Sequence, residues 1–103
     1  MIARPRGELD LSTAGEFKLS IDRELDARKI VRLLIDLSEV SFMDSSGLGA
    51  ILGRYRKLSL LGGKLFLIAP HGAVKSMLEL SGIDRIVPVY DSEEECLRQI
   101  QRN

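Results

Sequence analysis

The chain has 103 residues, with 15 Lys and Arg, 15 Asp and Glu, one His, one Cys and no Trp. This length suits a single domain, and 45% hydrophobic with 29% charged residues is typical of a chain that folds around its own core. The formal net charge of zero argues against a general nucleic-acid binder, because such proteins need a surplus of Lys and Arg. No apolar stretch is long enough for a membrane span or a signal peptide, so we expect a cytoplasmic protein. One Cys and one His cannot by themselves build a zinc site.

The first part of the chain predicts a short extended segment followed by a helix. The extended segment passes through Ile2 and Ala3 and ends at residues 7–10, Gly-Glu-Leu-Asp. Thr13 and Glu16 have the spacing of a capping box, so the Thr13 hydroxyl is expected to bond the backbone N–H near Glu16. The helix that follows has its apolar residues three or four apart, at Ala14, Phe17, Ile21 and Leu25.

The middle of the chain predicts two buried strands with a helix between them. Residues 30–37 are β-branched and almost continuously apolar, which is typical of a central strand covered on both faces. A helix is predicted from near Ser45, and Gly62 and Gly63 end it. Residues 64–69 then form a second buried strand.

The last third predicts a helix, a short strand and a final helix. The helix covers about 73–81 and the strand 86–90, where Pro88 confines the strand to a sheet edge because it cannot donate to the ladder. Ser92 and Glu95 have capping-box spacing at the start of the last helix. The apolar positions of that helix are Cys96, Leu97 and Ile100. The alternation predicts an α/β fold, with a mixed, mostly parallel sheet of four or five strands and about four helices packed against it.

Residues 42–49, Phe-Met-Asp-Ser-Ser-Gly-Leu-Gly, form the densest cluster of unusual residues. The cluster lies before a helix and after a strand, which is where parallel sheets place functional groups. Helix capping and a tight turn would require the same residue types, and spacing alone supports both interpretations equally.

Enzyme signatures are incomplete in this segment. The glycines of residues 47–53 miss the dinucleotide-binding pattern by one position, and the next strand does not end in an acid for the ribose. Ser45 and Ser46 lack the glycine of a serine-hydrolase elbow, and His71 lies in a Pro-His-Gly turn. No Gly-Lys-Ser or Gly-Lys-Thr follows a strand, so there is no phosphate-binding loop. We therefore expect a protein that is not an enzyme and holds no cofactor or metal.

A serine displayed on a scaffold without catalytic groups can itself be a substrate. Phosphorylation adds a charge of about −1.5 to −2, and the amino end of a helix tolerates that anion. With Asp44 beside it, the modified surface would repel a partner whose own face is acidic or apolar. The residues by themselves do not choose between Ser45 and Ser46 as the acceptor.

These residues resemble the STAS domain of bacterial anti-sigma factor antagonists. The Asp-Ser-Ser-Gly-Leu-Gly segment is the most specific part, and residues 51–55, Ile-Leu-Gly-Arg-Tyr, are most similar to the antagonists that act on the forespore sigma factor in sporulation. The resemblance makes residues 1–103 one STAS domain. The matching segments are Gly7–Asp10, Thr13–Ala14, Ile35–Leu37, Phe42–Gly49, Gly62–Gly63 and Val74–Gly82.

The resemblance implies partner switching. The unphosphorylated antagonist binds an anti-sigma factor that is also a serine kinase, and the sigma factor is released. The kinase uses its own ATP to phosphorylate the serine directly after the aspartate, here Ser45, and binding ends until a serine phosphatase restores it. The implied docking surface consists of Asp10, Asp44, Ser45, Ser46, Gly47 and Leu48.

One departure concerns the amino terminus. The family carries a further first strand before the Gly-Glu-Leu-Asp segment, and here it is missing or shortened, with Pro5 where a ladder donor is expected. The start is either trimmed or misassigned, or the sheet edge is short, and we expect a monomer in the free protein. The alternative function is an accessory STAS subunit of a bacterial transporter, such as a phospholipid transport complex. Which sigma factor, and whether sporulation, stress or another response is involved, stays open.

Overall fold

The computed structural model describes residues 1–30 and 32–102, apart from the side chain of Arg102. In these residues the strands are β1 Ile2–Ala3, β2 Gly7–Leu9, β3 Arg32–Asp36, β4 Val40–Met43, β5 Lys64–Ile68 and β6 Val89–Tyr90. The helices are α1 Ala14–Ala27, α2 Ser45–Leu60, α3 Gly72–Ser81 and α4 Glu93–Arg102, and a 3₁₀ turn covers Ile83–Arg85. None of these helices is long and apolar enough to cross a membrane.

The sheet is parallel and has β3 and β5 at its centre. Its strand order is β1-β3-β5-β6, and β2 pairs with β4 in a separate parallel ladder. The expected α/β class with four helices is therefore confirmed, although the strands divide into two sheets. The predicted central strand is also confirmed, because Leu33, Leu34 and Ile35 are all buried and β3 lies between two neighbours. Val31, which the prediction included in that strand, lies outside the described residues.

Strand β4 is an element that the apolar pattern does not predict. Val40 and Met43 are buried while Ser41 and Phe42 are exposed, so the alternation expected of a half-buried strand is absent. The strand forms because residues far away in the chain pair with it: Glu8 stands beside Phe42 and Leu9 beside Met43.

Two predicted helix starts have different outcomes. The capping box at Thr13 is wrong, because Thr13 Oγ1 accepts from the Asp10 N–H at 3.0 Å and donates to the Glu8 carbonyl at 2.7 Å instead. The hydroxyl thus points back into the preceding turn. The cap at Ser92 is confirmed, since the Glu95 N–H donates to Ser92 Oγ at 3.1 Å.

The last predicted strand and helix need two corrections. The strand is limited to Val89–Tyr90, because the N–H groups of Ile86 and Val87 donate back to the Ile83 carbonyl and continue the turn. It lies at the sheet edge, as Pro88 predicts. Leu97 is 40% exposed, so it does not belong to the buried side of α4. Only Cys96 is fully buried on that helix among the three predicted positions.

The core has two parts, one on each face of the sheet. The larger part contains the buried residues of α1, α2 and α3, including Phe17, Ile21, Ile51 and Leu78. The smaller part lies under α4. It consists of Leu34, Phe66, Ile68 and Cys96. Burial raises the pKa of the Cys96 thiol, which therefore stays protonated at neutral pH.

Candidate phosphorylation and docking site

Asp44 caps the amino end of α2. Its backbone is extended, and its Oδ1 accepts hydrogen bonds from the N–H groups of Ser46 at 2.8 Å and Gly47 at 3.1 Å. Its carbonyl accepts the first helical bond, from the Leu48 N–H at 3.0 Å. These bonds satisfy donors that would otherwise have no partner at the helix start. The aspartate thus explains why a helix begins at Ser45.

The same aspartate joins α2 to the loop after β2. The Asp44 N–H donates to the Leu9 carbonyl at 3.2 Å, and Asp44 Oδ2 accepts from the Leu11 N–H at 3.2 Å. Asp10 lies between these two bonded residues, and Ser45 directly follows Asp44. The structure therefore brings the two segments of the predicted docking surface, at residues 10 and 44–48, next to each other.

Asp10 organises the turn at residues 10–13, here called the Asp10 turn. Its Oδ1 accepts from the Ser12 hydroxyl at 2.7 Å, the Ser12 N–H at 3.0 Å and the Thr13 N–H at 3.2 Å. The Ser12 hydroxyl is the main cause that lowers the pKa of Asp10 below its ordinary value. Asp10 is therefore a carboxylate at neutral pH, and its charge is held in a defined orientation.

Gly47 lies beneath the surface where α2 packs against Leu9 of β2. A Cβ at this position would stand 2.9 Å from Leu9 Cβ and closer still to the Leu9 carbonyl oxygen. Only glycine allows this approach. Gly47 is buried, so it positions the start of α2 rather than offering a side chain to a partner.

The two candidate serines differ in accessibility. Ser45 is exposed as the first residue of α2, whereas Ser46 is half-buried and its N–H is engaged with Asp44. Leu48 is half-buried and packs against the larger core. Of the predicted docking residues in α2, Ser45 is thus the most accessible to another protein.

Two apolar residues near this site had no role in the sequence prediction. Leu11 is 81% exposed in the Asp10 turn, and Phe42 is 47% exposed on β4. The sequence does indicate that Leu11 is exposed. It stands between the turn-forming residues Asp10 and Ser12, and a tight turn leaves little room to bury a side chain.

Residues 1–96 match the family model of the STAS domain, so the chain belongs to the STAS domain family. It is 35% identical over 101 residues to the anti-sigma F factor antagonist of Paenibacillus polymyxa, covering 98% of this chain and 86% of that protein. It is 32% identical over 89 residues to the anti-sigma-B factor antagonist of Listeria monocytogenes, covering 86% of this chain and 77% of that protein. The family resemblance noted in the sequence is confirmed.

The fold is also that of solved antagonist structures. The anti-sigma factor antagonist SpoIIAA in its unphosphorylated form superposes with a TM-score of 0.84 and 27% identity, over 99% of this chain and 88% of that chain. The Bacillus cell fate determinant SpoIIAA in its phosphorylated form gives a TM-score of 0.73 and 27% identity, over 96% and 88%.

Proposed function

We propose that this protein is a cytoplasmic anti-sigma factor antagonist that acts by partner switching and is not an enzyme. In its unphosphorylated form it binds an anti-sigma factor with serine kinase activity, and the sigma factor is released. Phosphorylation of Ser45 by that kinase ends the contact, and a serine phosphatase restores it. The observation that carries the proposal is the exposed Ser45 at the first position of α2, beside the ordered Asp10 turn.

The local hydrogen bonds indicate how a phosphate on Ser45 would act. The N–H groups of Ser46 and Gly47 already donate to the Asp44 carboxylate, so they are not free to bind the phosphate. The new anion would lie at the surface beside Asp44, where it would interact directly with the partner. The fold itself would change little, because the Ser45 side chain is exposed at the surface and does not belong to the core.

The relatives support this proposal. Two of them are antagonists of anti-sigma F and anti-sigma-B factors, and SpoIIAA is described in both phosphorylated and unphosphorylated forms. Because sigma factors act with RNA polymerase, an antagonist that frees one works in the cytoplasm. We propose that the free protein is a monomer, which sedimentation at high concentration checks.

The partner class is tested by a pull-down with unphosphorylated protein in the presence of ADP and, separately, ATP. Recovery of a kinase-type anti-sigma factor with ADP, and weaker recovery with ATP, supports the proposal. Recovery of a transporter ATPase in its place would assign the chain to the accessory-subunit alternative.

The acceptor is tested by incubation with the captured kinase and ATP. The wild-type chain should gain one phosphate on Ser45, and Ser45→Ala should gain none. Ser46→Ala is the matched control, because it removes the neighbouring hydroxyl and should still be phosphorylated. Undiminished label in Ser45→Ala would refute the assignment.

A further inference from the structure

A groove of about 370 Å³ lies on the face of the sheet that α4 covers. Its lining comes from β3, β5, β6 and α4 and includes Arg32, Lys64, Phe66, Tyr90, Gln99 and Ile100. The volume is at the low end of the range for small-molecule sites, roughly 300–1,000 Å³. The groove therefore suits a small ligand better than a segment of another protein.

Arg32 and Lys64 place two positive charges side by side at the rim of this groove. They are the first residues of β3 and β5, they are register partners in the ladder, and both are exposed. Because side chains alternate along a strand, both leave the same face as Phe66, which belongs to the smaller core. Neighbouring strands lie about 4.8 Å apart, and like charges at paired positions repel each other. The pair therefore costs stability unless an anion lies beside it.

No carboxylate balances these two charges in the part of the chain that the structure describes. The ion pairs found there engage other cations, such as Arg4 and Lys57, and include neither Arg32 nor Lys64. None of the described residues that line the groove is acidic. Guanidinium and ammonium groups are donors only, and they bind carboxylates through charge-assisted hydrogen bonds. An anionic group is thus the chemistry that this rim recognises.

An aromatic pair forms the apolar side of the groove. The ring centroids of Phe66 and Tyr90 are 6.3 Å apart, and the ring planes are tilted by 38°. Phe66 is buried, whereas Tyr90 and Ile100 are half-buried and pack against the smaller core. Aromatic rings pack favourably against one another at such distances. A ligand ring would pack against these side chains while its anionic group met the two cations at the rim.

We infer that this groove is a binding site for a small aromatic acid, and that Arg32 and Lys64 bind its carboxylate. The inference goes beyond the proposed function and does not depend on it. Ser45 begins α2, and the buried residues of α2 belong to the larger core on the other face of the sheet.

The ligand chemistry is tested by NMR titration of the full chain with phenylacetate, which joins one ring to one carboxylate. The shifts of backbone amides in β5, β6 and α4, around the groove, should saturate. Phenylacetamide keeps the ring without the charge, and acetate keeps the charge without the ring. Both should bind at least about tenfold more weakly, because each loses one set of contacts. Equal binding of either compound, or shifts that do not saturate with phenylacetate, would overturn the inference.

The two cations are tested by substitution. Arg32→Gln and Lys64→Gln should each weaken phenylacetate binding about tenfold, as the loss of a charge-assisted hydrogen bond does. Lys75→Gln is the matched control, because Lys75 is an exposed cation of α3 that does not line the groove. Wild-type affinity in both Arg32→Gln and Lys64→Gln would refute their assignment to the ligand.

Thermal unfolding separates ligand binding from a structural role of these cations. Arg32→Gln removes one of two neighbouring like charges, so its melting temperature without ligand should equal or exceed that of the wild type. Saturating phenylacetate should raise the melting temperature of the wild type and have little effect on Arg32→Gln. Lower melting temperatures for both glutamine variants in the absence of ligand would show that the cations stabilise the fold, and the inference would be wrong.

Discussion

The backbone N–H of Leu11 donates to the Asp44 side chain at 3.2 Å, and the Asp44 N–H donates to the Leu9 carbonyl at 3.2 Å. One aspartate therefore caps α2 and also holds the Asp10 turn against the start of that helix. The candidate phosphoacceptor and the exposed leucine owe their relative position to this residue. Substitution of Asp44 should consequently affect both the stability of the fold and the binding of the partner.

Asp44→Ala should lower the free energy of unfolding by about 1–2 kcal/mol, since a helix cap of this kind typically contributes that much. Asp44→Asn retains an Oδ1 acceptor for the Ser46 and Gly47 N–H groups and should lose less. Urea denaturation of the three proteins provides the measurement. Equal stability of wild type and Asp44→Ala would contradict the capping role.

Gly47→Ala should destabilise the protein by about 1–3 kcal/mol, because the added methyl group overlaps Leu9 where α2 approaches β2. Gly49→Ala is the matched control in the same helix. A Cβ at Gly49 meets nothing within 4 Å, so this substitution should stabilise α2 by about 0.5–1 kcal/mol. Thermal unfolding of both variants should give changes of opposite sign, and changes of the same sign would show that the close approach is absent.

The Asp10 turn should make stability depend on pH in the acid range. A lowered pKa means that the folded state favours the carboxylate, so its contribution is present above the ordinary value of 3.8 and is lost as the pH falls through the lower folded pKa. The stability difference between wild type and Asp10→Asn should therefore be constant near neutral pH and shrink in acid. Urea denaturation at several pH values measures it.

Ser12→Ala removes the main cause of the lowered pKa of Asp10. The pKa of Asp10 should then rise toward 3.8, which a carboxyl titration by NMR detects. Ser20→Ala is a suitable control, since the Ser20 hydroxyl bonds the Phe17 carbonyl and does not contact Asp10. A Ser12→Ala titration identical to wild type would show that the backbone N–H groups alone set the pKa.

An ion pair between α1 and α2 gives a further prediction. Arg54 Nε lies 3.1 Å from Asp22 Oδ1, and their side chains are only 11% and 28% exposed, but the two atoms are misaligned for a hydrogen bond. Asp22→Ala leaves a poorly solvated guanidinium and should cost about 1–3 kcal/mol, less than the loss of a fully buried pair. Adding Arg54→Met should recover much of that loss in urea denaturation. A double variant less stable than Asp22→Ala would show that packing of the Arg54 side chain, and not its charge, determines its effect on stability.

The sequence predicted the fold class well because its strongest patterns are local. The apolar run of β3, the start of α2 at Ser45 and the helix that ends at Ser81 all follow from residues close together in the chain, and all are confirmed. Family membership also followed from the sequence, through the Asp-Ser-Ser-Gly-Leu-Gly segment. The predicted docking residues stay predictions, although the structure places residues 10 and 44–48 side by side.

What the sequence could not determine depends on partners far away in the chain. Strand β4 forms because β2 pairs with it. The Thr13 hydroxyl does not form its predicted cap because it bonds the Asp10 N–H and the Glu8 carbonyl in the preceding turn. The position of Leu11 beside Asp44 is also a tertiary result, since its N–H bonds a side chain far away in the chain. The amino-acid sequence by itself thus determined the α/β class and the serine cluster, through local periodicity and capping. Only the tertiary structure decided which residues surround Ser45, because the hydrogen bonds of Asp44 join segments more than 30 residues apart.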